Sequence, residues 1–149
     1  MITGHDFVKL SDRLSRDDPD GEAVWRTSIG RAYYGAFHVA LSLVKDDLRI
    51  VFPRGRDNRN DHDFVQKALN NSNDTDAIKA GSLLGNLHDL RKDADYDLKT
   101  SEHGEQQTAA DGVELANRIC GLLQKCYGRR AAIKAGIETW QRDVLKMIT

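Results

Sequence analysis

Arg31-Ala32-Tyr33-Tyr34-Gly35-Ala36-Phe37-His38 places a guanidinium and an imidazole seven residues apart. Seven helical steps turn about 700°, within about 20° of two full turns, so in a helix both side chains belong to one face. Tyr34, Gly35 and Ser42 fall on the same stripe. A cation, an imidazole, a phenol and a hydroxyl in one row can hold a phosphate and act on it. Histidine exchanges a proton near neutral pH, and arginine stabilises a phosphorus centre as it gains charge, with no metal needed. The same row also has a packing reading, in which Arg31 pairs with a carboxylate and His38 fills a hydrogen-bonded niche.

A second row follows downstream: His88, Arg91 and Asp95 stand at i, i+3 and i+7, with Tyr96 directly after. Arg91 and Asp95 have the spacing of an intrahelical ion pair, worth a few tenths of a kcal/mol, about 0.2–0.5, when exposed. Either the row clamps the fold, or Arg91 faces a ligand that Asp95 helps to orient, with His88 and Tyr96 beside it. Between the two rows, Arg49, Arg54, Arg56 and Arg59 concentrate positive charge within eleven residues, a stretch that could guide a polyanion or be an ordinary solvated loop. Cys120 and Cys126 are six apart and point about 120° from each other on a helix, so they neither share a metal nor bridge. No zinc-type spacing, glycine-rich phosphate loop, HExxH helix or nucleophile signature occurs, so neither a metal nor a cofactor is expected.

Positioning these rows falls to helices. Two prolines and little β-branched alternation leave helical periodicity as the dominant signal. The spacing predicts a first helix from about Thr3, an N-cap, to Arg16, carrying Phe7, Leu10 and Leu14, then a turn at Asp17–Gly21. A long second helix is predicted over Glu22–Leu48, about 40 Å at ~1.5 Å per residue, with Trp25, Ile29, Tyr33, Phe37, Ala40 and Leu43 on its apolar face. A short third begins near Asp61 with Phe64, Val65 and Leu69, followed by a linker rich in capping residues. The fourth runs over Ala77–Tyr96. A fifth follows the break at Lys99–Gly104 and ends with Gly128 as its C′ residue. A sixth carries Ile133, Ile137, Trp140, Val144 and Ile148, a seam for the bundle or for another subunit. The expected fold is all-α, an up-and-down bundle of four to five helices plus a C-terminal amphipathic helix over residues 129–149, within one domain spanning 1–149.

The 149 residues suit one domain. Charged residues make up 30%, and 22 basic against 23 acidic side chains give a net charge of −1, which argues against bulk electrostatic coating of nucleic acid. No apolar run approaches the ~18–20 residues of a membrane span, and MITGHDFVKL has no signal-peptide pattern, so no membrane contact and a cytoplasmic address are expected.

Three segments resemble HEPN domains. Arg31-Ala32-Tyr33-Tyr34-Gly35-Ala36-Phe37-His38-Val39-Ala40 is similar to their RAYYAAFHAA stretch, and Leu90-Arg91-Lys92-Asp93-Ala94-Asp95-Tyr96-Asp97 to their LRxxADYD segment. Asp61-His62-Asp63-Phe64-Val65 resembles the histidine-led short helix between them, and order and spacing agree over about residues 5–127. The resemblance implies a helical bundle that dimerises, ligands among RNA and nucleotides, and a place in toxin–antitoxin or antiviral systems. Active members of the family are metal-independent ribonucleases with an Arg-x4–6-His motif, in which His activates a ribose 2′-hydroxyl and Arg steadies the phosphate. Arg31 and His38 satisfy that spacing and are the expected catalytic pair, with Tyr34, His88, Arg91, Asp95 and Tyr96 binding the ligand. The clearest nucleases carry the motif late, where this chain has Arg91 but Tyr96 in place of histidine. His62 or His88 folding into the same cleft would supply the missing imidazole. The alternative implied is a non-catalytic module that binds a nucleotide or a partner protein, such as an antitoxin or a nucleotidyltransferase. A helix-turn-helix DNA reader fits less well, because no short helix carries a cationic recognition face.

Overall fold

Thr3 and Asp6 start the chain's first helix together. The Asp6 carboxylate accepts the Thr3 backbone N–H at 2.7 Å and the Thr3 hydroxyl at 3.0 Å, closing the first turn of α1, Gly4–Arg16. The computed structural model describes residues 1–16, 21–53, 61–99 and 105–147. Among these, every regular element is helical: α2 (Glu22–Ser42), α3 (Asp61–Asn70), α4 (Thr75–Tyr96), α5 (Gln106–Cys126) and α6 (Arg130–Asp143). The acidic turn before Gly21, the arginines at 54, 56 and 59, the break at 100–104 and Ile148 lie outside the described residues.

Two helix starts are written in single side chains. Gly21 opens α2 at φ +63°, a left-handed conformation that glycine adopts without steric cost. Asp74 caps α4 by accepting the Asp76 and Ala77 N–H groups at 3.1 and 3.0 Å, and Arg129 braces the cap through Asp74 at 2.7 Å and Asp76 at 2.8 Å.

Helix ends differ from the periodicity. The α-helical part of the second helix stops at Ser42 rather than Leu48, and Leu43–Asp47 form a π-helical turn. Its i→i+5 bond, Leu48 N–H to the Leu43 carbonyl at 2.8 Å, widens the last turn so that Leu43, Val44, Leu48 and Ile50 are all buried. Gly128 is not a left-handed C′ residue: it lies in a 3₁₀ turn, Tyr127–Arg129, that leads straight into α6. The sixth helix ends at Asp143, short of the expected seam, and Val144 is 65% exposed.

Helices α1–α5 pack as a bundle with α2 at its centre, touching α1, α3, α4 and α5. At the α1–α2 crossing, Gly4 and Gly35 meet backbone to backbone; a methyl group on Gly35 would lie 2.6 Å from the Gly4 carbonyl oxygen and 2.9 Å from the Val8 nitrogen. Close by, the buried Ser28 hydroxyl donates to the Ser11 carbonyl at 2.8 Å. On the other side α4 runs antiparallel to α2. Arg26 is buried and donates to the Ala94 and Asp97 carbonyls at 2.8 and 2.9 Å, satisfying the C-terminal end of α4. The sixth-helix seam covers this same subunit: Ile133, Ile137 and Trp140 are buried in the main core, with Trp140 6.0 Å from the Phe64 ring. No helix among the described residues is long and apolar enough to cross a membrane. Cys120 and Cys126 are free and buried, and burial pushes both thiols up to about 11, which leaves them unreactive at neutral pH.

Candidate functional site

The first row lies on α2 and the second on α4, which packs against the neighbouring stripe of α2. On the first, Tyr34 sits between the groups the spacing paired. Arg31 lies over the Tyr34 ring, its Cζ 5.3 Å from the centroid, and His38 lies 4.2 Å away, centroid to centroid. Phe7 of α1 meets Tyr34 edge-on at 4.9 Å and also lies under Arg31 at 5.9 Å. The glycine crossing brings α1 close enough for this contact. All three side chains of the row reach solvent to some degree, so neither Arg31 nor His38 is sealed in the core. His38 also lines a cavity of about 380 Å³ together with Thr3, His5, Ser42 and Tyr127. Burial holds the His38 imidazole below its ordinary value, so it is neutral and able to accept a proton at pH 7.

The adjacent stripe holds Tyr33 and Phe37, and on it three further helix positions converge. The Tyr33 ring stacks on His88 of α4 at 4.8 Å and lies near-parallel to His62 of α3 at 5.6 Å. Phe37 stacks on His62 at 3.8 Å and meets His38 edge-on at 5.3 Å, so a continuous chain of rings links His38 to His62 and His88. Arg91 caps the group with its Cζ 6.0 Å over the Tyr33 ring, and Asp95 holds Arg91 at 2.8 Å.

The Tyr33 oxygen and His62 Nδ1 are 2.5 Å apart. Burial lifts the Tyr33 phenol well above its usual value, so it stays protonated. His62 is held low by burial first and then by its neighbours His88, Arg91 and His38, so it stays neutral. With the phenol as donor to Nδ1, the imidazole proton resides on Nε2. His88 is likewise held low, by burial and then by Lys92 and Arg91.

The sequence-nominated residues thus fall into two groups, Arg31–Tyr34–His38 and His88–Arg91–Asp95, joined through Phe37, His62 and Tyr33. Tyr96 belongs to neither: it is 75% exposed and makes no ring or hydrogen-bond contact with the described residues. Tyr33 and Phe37, read from spacing as core residues, form the floor joining the groups, and Phe7 buttresses the first. His62, at the head of a short helix, bonds across 29 residues of chain. The aromatic character of positions 33 and 37 beside a histidine was the available signal. Among the described residues no group of three or more His, Cys, Asp or Glu is arranged to hold a metal ion.

No family model, curated protein or solved structure matches this chain. The functional reading rests on these side chains and on the resemblance of their segments.

Proposed function

We propose that this chain is a HEPN-like, metal-independent endoribonuclease, acting as an effector in a toxin–antitoxin or phage-defence setting and working as a homodimer. The observation that carries the reading is the neutral, partly exposed His38 placed against the same tyrosine ring as Arg31, at the edge of an open cavity. In the proposed reaction His38 takes the proton of a ribose 2′-hydroxyl. The 2′-oxygen bonds to phosphorus as the bond to the 5′-oxygen breaks, and the proton passes to that leaving oxygen. The products are a 2′,3′-cyclic phosphate and a 5′-hydroxyl. Arg31 steadies the charge that builds on the phosphate oxygens. Arg91, positioned by Asp95, and the His62–His88 stack would hold the neighbouring nucleotide through charge and ring stacking.

The test is cleavage of an end-labelled, unstructured RNA in EDTA. His38→Ala and Arg31→Ala are each expected to slow cleavage by at least about 100-fold while helical circular dichroism is retained. If the parent protein leaves such RNA intact at high concentration, the nuclease reading is overturned.

One observation favours a second reading, a non-catalytic module for a nucleotide or a partner protein such as an antitoxin or a nucleotidyltransferase. Tyr96 and Leu98, at and just beyond the end of α4, stand 75% and 71% exposed, and such a partner would cover them. That reading expects binding to survive His38→Ala and to fail with Arg91→Ala.

A further inference from the structure

On α3 through α6, most cations have a partner. Lys67, Arg91, Lys92, Arg129, Lys134 and Arg142 each pair with a carboxylate, and Arg130 lies over the Tyr127 ring. Lys79 of α4 and Arg118 and Lys125 of α5 have no carboxylate partner among the described residues, and all three are exposed. They share one concavity. Arg118 and Lys125 are seven residues apart and so lie on one face of α5, and Lys79 closes the site from α4. Gly121 and Leu122 complete a lining that contains no acidic side chain, around a volume of about 290 Å³.

Gly121 lies on α5 between Arg118 and Lys125 and lines the same concavity. Glycine inside a helix weakens it; close packing explains the cost at Gly35 against Gly4, Gly81 against Asn70 and Gly85 against Gln66, while Gly30 and Gly112 meet only ordinary contacts. Around Gly121 a methyl group would find nothing within 4 Å. No neighbour within the chain requires the bare backbone there. The groove floor is therefore open between the two α5 cations.

We propose that the groove between α4 and α5 is a binding site for multiply charged phosphate, with Lys79, Arg118 and Lys125 supplying the countercharge and Gly121 letting the anion approach the helix. Its volume sits at the lower edge of the ~300–1,000 Å³ typical of sites for drug-sized molecules and accommodates a short run of phosphates. The phosphates come either from a compact polyphosphate or from the backbone of a nucleic acid. Lys79 and His88 are nine residues apart on α4, which sets them about 180° apart around its axis, so this site is separate from the His38–His62–His88 cluster and stands whether or not the ribonuclease reading holds.

The test titrates the full chain with inorganic tripolyphosphate and with a 20-nucleotide single-stranded RNA, following backbone amides by NMR and affinity by calorimetry. Tripolyphosphate is expected to shift the amides of Lys79, Gly121, Leu122 and Lys125 first. The triple variant K79Q/R118Q/K125Q, whose three positions are surface ones, should bind at least about tenfold more weakly, whereas K134Q should bind as the parent does. Gly121→Asp, which puts a negative charge on the groove floor, should abolish the same shifts. If RNA is the source, the triple variant also lowers its affinity and flattens the dependence of log K on log salt by about 2. If a compact polyphosphate is the source, RNA affinity stays unchanged while tripolyphosphate binding is lost. Absence of binding by both probes, shifts centred elsewhere, or equal affinity in the triple variant overturns the proposal.

Discussion

The same substitution, glycine to alanine, is expected to act with opposite sign at two positions of this fold. In a helix interior the exchange stabilises by about 0.5–1 kcal/mol, because alanine restricts the unfolded chain more and pays no packing penalty when its methyl group is free. At Gly121 the methyl group meets nothing, so the full gain of about 0.5–1 kcal/mol is expected. At Gly35 it would sit 2.6 Å from the Gly4 carbonyl oxygen, 2.7 Å from a Val8 methyl and 2.9 Å from the Val8 nitrogen. Two of those three atoms are backbone and cannot rotate away, so α1 must lift off α2. Overpacking of this kind costs about 1–3 kcal/mol and more where helices have to separate. After the propensity gain is subtracted, Gly35→Ala should lose about 2 kcal/mol, a fall of about 4–8 °C in Tm for a chain of this length. Urea unfolding followed by circular dichroism at 222 nm reads both variants against the parent. Because α1 carries Phe7 to the Tyr34 ring, Gly35→Ala should also disturb the Arg31–Tyr34–His38 row. A Gly35→Ala protein as stable as the parent, or a destabilised Gly121→Ala protein, would refute the reasoning.

Two further outcomes follow from the histidine cluster. His38, His62 and His88 are all held below the ordinary imidazole value, so the unfolded chain binds protons more readily than the folded one. The stability tied to them is whole above about pH 6.5 and declines as pH falls below that through the lower folded values. The urea midpoint should therefore be lower at pH 5.5 than at pH 7.5, and H62Q/H88Q should remove most of the difference; a midpoint that rises on acidification contradicts this. Tyr33→Phe keeps the ring stack but strands His62 Nδ1 without its donor, for an expected loss of about 1–2 kcal/mol. Nitrogen NMR of the His62 ring should show the Nε2–H tautomer in the parent and a mixture in the variant; identical spectra would refute the assignment of the proton.

What could be read from one strand of letters was whatever depends on a single helix. The Arg91–Asp95 pair, the shared face of Arg31 and His38, and the Asp74 region as a capping linker all follow from spacing alone. Contacts that need two helices to cross at a given angle did not follow. His62 finds Tyr33 only because α3 lies against α2 and α4, and nothing in the spacing of either residue encodes that. Arg26 reads as one polar position in an amphipathic helix, yet it is buried and ends α4 by bonding its last carbonyls. Tyr96 follows Asp95 in sequence but points about 100° away around the helix, into solvent. The seam of α6 looked continuous through Val144 and Ile148 because apolar periodicity persists past the helix end at Asp143; Lys146, at φ +57°, has a backbone no α-helix contains.

Gln141 is fully buried on α6, and its side-chain amide donates to the Val51 carbonyl at 2.7 Å, while its neighbour Trp140 rests near Phe64. One short rod thus grips the chain just before residue 54 and again just after residue 60. A cut anywhere between those two holds would leave both new ends moored to α6, and the two pieces would stay together through the packing of α2 against α4 and α5.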